Sequence, residues 1–98
     1  MTWPEVEAID KRNALVVLPL GATEQHGPHL PLYTDTLISS GVLKRAMDRL
    51  SEEKPVYMLS PITISKSNEH RGFPGTLWIG AKTLYDVLFE VGRSVHES

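Results

Sequence analysis

The sequence predicts an α/β fold in which parallel strands are covered by helices. Two short apolar runs are typical of buried strands, and segments with apolar residues at helical spacing follow them. Loops rich in Gly and Pro separate these segments. At 98 residues the chain is one domain at most, and we expect it to hold one modest core.

The first half of the chain predicts a strand, a loop and a helix. The apolar run "ALVVLPL", residues 14–20, is β-branched at its centre, which predicts a parallel strand buried on both faces. After a Gly- and Pro-rich stretch, Thr34 or Asp35 can cap a helix that runs to about Leu50.

The second half predicts another strand, a long loop and a helix. "PVYMLSP", residues 55–61, is the second strand candidate, and residues 62–76 are predicted to be mostly loop, whose length indicates function. "TLWI", residues 76–79, is a possible short strand, and residues 81–98 carry one apolar helical face. Such a fold normally continues into a further strand. We therefore expect either an unusually small domain or a part of a longer protein.

The composition of the chain limits the classes of binding partner that we expect. The formal net charge is −2, and the basic residues are scattered, which gives no electrostatic footprint for nucleic acid. There is no cysteine, so any metal must be held by nitrogen and oxygen ligands. The N-terminus lacks a signal-peptide pattern, and no apolar run approaches the roughly 18 residues that cross a bilayer. We expect a cytoplasmic protein that binds a small molecule, and neither nucleic acid nor membrane.

The stretch "LPLGATEQHGPHLPLYTD", residues 18–35, concentrates metal-ligand side chains after the first strand. Glu24 and His26 are two residues apart, so they point to the same side of an extended segment. Asp35 follows at the start of the next helix, where the turning loop can bring it back to them. One imidazole and two carboxylates suit Zn²⁺, Mn²⁺ or Fe²⁺. The spacing also fits a surface histidine, a solvated glutamate and an aspartate that only caps a helix.

Two further groups of side chains are weaker candidates. His29 could be a second ligand, a donor to a ligand or a packed imidazole, and its neighbours Pro28 and Leu30 favour packing. "SNEH", residues 67–70, repeats the pairing of carboxylate and imidazole. Because adjacent side chains usually point in different directions, we expect at most one of Glu69 and His70 to serve the site.

The motif "LPLGATEQHGPHLPLYTDT" closely resembles the signature of the creatininase family of metal-dependent amidohydrolases, and "TWPEVEAI" and "SNEHRGFPGT" also fit it. The resemblance covers essentially the whole chain. It implies a three-layer α/β/α fold with a mostly parallel sheet, of which residues 1–98 form the N-terminal part of a single domain. It also implies two divalent ions, commonly zinc or manganese, an amide substrate and ring-like homo-oligomers, often hexamers.

The resemblance assigns roles to particular residues. Glu24 resembles a ligand of one ion, His26 a ligand of the other, and Asp35 the carboxylate that bridges both. His29 matches a position whose side chain does not bind an ion itself but holds the loop or a carboxylate in place. The remaining candidates lie on the substrate side: Ser67, Glu69 and His70.

The family's second metal motif, an Asn-Gly-His segment, has no counterpart here, and its later catalytic residues are also absent. The resemblance therefore implies a protein that hydrolyses an amide C–N bond of a small, often cyclic, substrate with a metal-activated water, but a fragment that is inactive alone. The alternative is a non-catalytic, truncated paralogue that serves as an interaction or structural piece.

Overall fold

A computed structural model describes all 98 residues and confirms an α/β chain with a small parallel sheet. The elements are α1 (Trp3–Glu7), β1 (Leu15–Val17), α2 (Thr34–Asp48), β2 (Val56–Met58), a 3₁₀ turn (Asn68–His70) and α3 (Ala81–Glu97). Strands β1 and β2 pair in parallel, with Leu15 beside Val56 and Val17 beside Met58, so α2 is the crossover between them. None of the helices has the length and apolar character needed to span a membrane.

Both strands are shorter than predicted, and proline explains the break in β1. Pro19 has no N–H to donate, so the regular ladder stops after Val17. Pairing then resumes: the Ile62 N–H donates to the Pro19 carbonyl at 3.0 Å, and the Gly21 N–H donates to the Ile62 carbonyl at 2.8 Å. The segments that leave the two strands therefore run on side by side towards one end of the sheet.

The predicted side-chain cap of α2 is wrong. Tyr33 occupies the N-cap position and makes no side-chain capping bond. The Thr34 hydroxyl instead donates to the Pro31 carbonyl at 2.6 Å, and the Asp35 carboxylate accepts a hydrogen bond from His26 at 2.9 Å. Asp35 lies in the first turn, where the helix dipole favours a negative charge.

The last helix matches its prediction, whereas the first was not predicted. Helix α3 spans Ala81–Glu97 with its apolar face half-buried. In α1 the Thr2 hydroxyl and backbone N–H both donate to Glu5, a capping box visible as T-x-x-E in the sequence. The possible strand at residues 76–79 forms only two isolated bridges, one at Leu77 and one at Trp78.

The expected core is largely absent. The accessible surface is 7448 Å², whereas a compact chain of this mass would expose about 5,600 Å². Five of 98 residues are buried, and none of them has a large apolar side chain. Leu15 in β1 is 58% exposed, so the prediction of a strand buried on both faces is also wrong. The expectation fails because the helices scarcely contact the sheet.

Candidate metal centre

A close contact fixes the loop after β1 against the start of α2. The Thr36 side chain is fully buried, and its hydroxyl donates to the Ala22 carbonyl at 3.3 Å. Gly21 lies so close that an added Cβ would sit 2.6 Å from the Thr36 Cα. Only glycine leaves room for this approach. The contact holds Glu24, three residues along the loop, near Asp35, one residue before Thr36.

The second loop is tied to the first by hydrogen bonds from both sides. The Thr23 hydroxyl donates to the Thr63 carbonyl at 2.7 Å, and the Leu77 N–H donates to the Thr23 carbonyl at 2.9 Å. The Gln25 N–H donates to the Thr76 hydroxyl oxygen at 3.1 Å. These bonds place residues 67–70 beside the motif loop.

Glu24, His26 and Asp35 meet at this end of the sheet. His26 Nε2 lies 2.9 Å from Asp35 Oδ2 and 3.7 Å from Glu24 Oε1. The three ligand-type atoms all lie within 4.8 Å of one another. Two ligands of one tetrahedral Zn²⁺ lie roughly 3.3–3.6 Å apart, as follows from bonds of about 2.0–2.2 Å. The separations of these side chains therefore fit a metal ion without large rearrangement.

The electrostatics favour an ionised acceptor at this cluster. The hydrogen bond from His26 holds the pKa of the Asp35 carboxyl below its ordinary value. The Glu24 side chain is 13% exposed and that of Asp35 is 36% exposed, so the cluster is partly desolvated but open on one side. A charged carboxylate beside a half-buried imidazole, reachable from solvent, is a suitable set of hard and borderline ligands for a divalent cation.

Glu69 and His70 both approach Glu24, although adjacent side chains were expected to point in different directions; that at most one of them serves the site stays a prediction. Their ligand-type atoms lie within 4.8 Å of each other and of the Glu24 carboxylate. His70 Nε2 is 3.8 Å from Glu24 Oε1, whereas Glu69 is exposed and pairs with Lys66 at 3.0 Å. The expectation assumed an extended segment. The 3₁₀ turn over Asn68–His70 instead rotates adjacent side chains towards the same region.

Neither Ser67 nor His29 forms a side-chain hydrogen bond with the cluster. Ser67 is completely buried, and its hydroxyl has no hydrogen-bond partner. His29 is exposed and makes no side-chain hydrogen bond, so the packed imidazole favoured by its neighbours is wrong. The substrate-side role of Ser67 and the supporting role of His29 stay predictions.

Gln25 is the residue near the cluster that the sequence reasoning missed. Its amide nitrogen lies 2.8 Å from His70 Nδ1, and its amide oxygen accepts from the Gly27 N–H at 3.0 Å. Alternation along an extended segment carries a signal, since Gln25 must point away from the side shared by Glu24 and His26. The Gln25 side chain meets His70 of the second loop.

Fold and cluster together define a class: an α/β protein with a carboxylate and imidazole site beyond the carboxyl end of a parallel strand, where such sheets bind ligands. A family profile described as creatininase, creatinine amidohydrolase, matches residues 1–98. The chain therefore belongs to the creatininase family.

Two relatives illustrate the range of the family. The chain is 44% identical over 98 residues to a "Mycofactocin precursor peptide peptidase" of Mycobacterium ulcerans (strain Agy99), covering 95% of this chain and 35% of the relative. It is 32% identical over 99 residues to a "Creatinine amidohydrolase" of Pseudomonas putida, covering 95% of this chain and 38% of the relative. The chain thus spans little more than a third of the length of these curated relatives.

Two solved structures share the fold. A mutant creatininase of the Zn-Zn type has a TM-score of 0.84 at 27% identity, over 99% of this chain and 38% of that chain. A mutant creatininase complexed with creatine has a TM-score of 0.82 at 26% identity, also over 99% and 38%. The structure therefore corresponds to the N-terminal part of creatininase.

Proposed function

We propose that residues 1–98 form the N-terminal part of a single creatininase-like domain in a metal-dependent amidohydrolase. The complete domain would be a three-layer α/β/α fold with a mostly parallel sheet, assembled as a homo-oligomer. Its reaction is hydrolysis of an amide C–N bond in a small or cyclic substrate. The observation that carries the proposal is the convergence of Glu24, His26 and Asp35 within 4.8 Å.

The donor set fits two divalent ions of the zinc or manganese type, with iron also compatible. Glu24 would hold one ion, His26 the other, and Asp35 both. When bound, such ions polarise an amide carbonyl and make water nucleophilic near neutral pH. The lowered pKa of Asp35 keeps that carboxylate ionised and able to bind a cation. The second loop, close to Glu24, would border the substrate.

The peptidase and the creatinine amidohydrolase described above support an amide bond as the target, and the more similar of the two favours a peptide. The name peptidase and the name amidohydrolase both denote cleavage of amide-type C–N bonds. Identity is 44% to the mycofactocin precursor peptide peptidase and 32% to the creatinine amidohydrolase. We therefore propose a peptide amide as the first substrate class to test, with a cyclic amide as the second.

The test uses the intact protein that contains this chain, loaded with Zn²⁺ or Mn²⁺ and offered short peptides and creatinine. We expect hydrolysis of at least one substrate, and a fall of about 100-fold or more for Asp35→Asn together with loss of bound metal. Glu90→Gln, an exposed substitution on α3 outside the cluster, serves as the matched control and should keep both. Full activity of Asp35→Asn would contradict the assignment.

A non-catalytic interaction piece is the alternative, since another chain could cover the exposed apolar surface. Leu15 in β1 is 58% exposed, and Val42 on α2 is 66% exposed. An open two-stranded sheet of this kind can pair with another chain through its edge. This alternative predicts stable association with a partner in the absence of metal, and association unchanged by Asp35→Asn.

A further inference from the structure

The side-chain amide of Gln25 lies between two fixed groups, and one of them sets its orientation. The Gly27 backbone N–H can only donate, so the atom 3.0 Å away must be the amide oxygen of Gln25. The amide nitrogen then faces His70 Nδ1 at 2.8 Å. The main chain of Gln25 is itself anchored, because its N–H donates to the Thr76 hydroxyl oxygen at 3.1 Å.

This orientation determines the tautomer of neutral His70. An amide NH₂ group can only donate, so Nδ1 must be the accepting, unprotonated nitrogen. The proton of the neutral ring then resides on Nε2. Nε2 is the atom directed at the Glu24 carboxylate, at a distance of 3.8 Å from Oε1. That distance is longer than a hydrogen bond, so the N–H dipole acts on the carboxylate electrostatically.

We propose that Gln25 and His70 are positioning residues, which present an Nε2–H group to Glu24 and hold its carboxylate in place for a metal ion. Because Nδ1 accepts from Gln25 and Nε2 carries the proton of the neutral ring, His70 directs an N–H dipole at a ligand and is not a ligand itself. The tautomer follows from the hydrogen bonds alone. Only its consequence for metal binding rests on the proposed function.

The first arm of the test reads the tautomer in the intact, metal-free protein by long-range ¹H–¹⁵N correlation of the imidazole groups. For the neutral imidazole ring we expect the Nε2–H tautomer of His70. Gln25→Glu has the same shape but offers only acceptors, so it should convert His70 to the Nδ1–H tautomer. Lys66→Gln, an exposed change in the same loop, should leave the tautomer unchanged. Nδ1–H in the wild-type protein, or no change in Gln25→Glu, would overturn the proposal.

The second arm measures Zn²⁺ affinity by competition with a chromophoric chelator. His70→Ala should weaken Zn²⁺ binding by about 10- to 100-fold, the usual effect of losing a partner of a metal ligand. His70→Gln, whose amide can still donate an N–H at that position, should recover most of the loss. Equal losses in both variants would identify His70 as a ligand and overturn the positioning role. If the Zn²⁺ affinities were as expected but the intact protein hydrolysed no amide, only the amidohydrolase proposal would be rejected.

Discussion

Replacing Gly21 by Ala should separate the two halves of the metal cluster. The added Cβ would lie 2.6 Å from the Thr36 Cα, whereas ordinary contact begins at 3.4 Å, so the backbones must part by about 0.8 Å (3.4 − 2.6). The neighbour is helix backbone and cannot rotate away. A separation of that size would break the 2.9 Å hydrogen bond between His26 and Asp35.

We expect Gly21→Ala to lower the free energy of unfolding of the intact protein by about 1–3 kcal/mol, the usual cost of overpacking. The affinity for Zn²⁺ should fall as well, because Asp35 moves with α2. Gly41→Ala is the matched control: it lies within α2, its Cβ would meet nothing within 4 Å, and it should stabilise the helix by roughly 0.5–1 kcal/mol. Denaturant unfolding and chelator competition measure both effects. If Gly21→Ala were as stable as Gly41→Ala and bound Zn²⁺ like the wild type, the close approach would not position the site.

Three further predictions concern single contacts. Removing the His26 side chain in the metal-free protein should raise the pKa of Asp35 towards its ordinary value, and a carboxyl ¹³C titration measures that pKa. In the wild-type protein the lowered pKa of Asp35 stabilises the fold at pH values above the pKa of the unfolded chain. This stabilisation is lost as the pH falls through the pKa of the folded protein. Thr36→Val keeps the shape of the side chain but removes a buried hydrogen-bond donor, so it should lower the free energy of unfolding by about 1–3 kcal/mol. Denaturant unfolding measures this change, and an unchanged midpoint would contradict the role of the hydroxyl. The Arg71 guanidinium lies 4.6 Å from the Trp78 ring centroid, so Arg71→Ala should shift Trp fluorescence and cost about 0.5–1 kcal/mol, whereas unaltered emission would show that this contact is not formed in solution.

Local sequence signals predicted most helices and strands, but they missed helix α1 and the ends of the strands for identifiable reasons. The apolar period fixed α3, and the β-branched run fixed β1. Pro19 shortened β1 because it lacks a donor, although proline is visible in the sequence. Helix α1 escaped detection because its signal is a capping box and not an apolar period.

The candidate site was also predictable from local sequence signals only in part. Period-two alternation placed Glu24 and His26 on one side of the loop, and the structure finds them together, while their roles as ligands stay predictions. The approach of both Glu69 and His70 was not predictable from adjacency, because a 3₁₀ turn replaces the extended geometry that adjacency assumes.

By itself the sequence determined the alternation of strands and helices, the family and the set of residue types able to hold a cation. These follow from local periodicity, from motif identity and from the chemistry of single side chains. Only the tertiary structure decided the distances between loops, the orientation of the Gln25 amide and the Nε2–H tautomer of His70 that we infer from it. The contact between Gln25 and His70 joins residues 45 positions apart, which no local pattern encodes. The tertiary structure also decided that Leu15 and its neighbours stay exposed, because burial requires other elements to cover them.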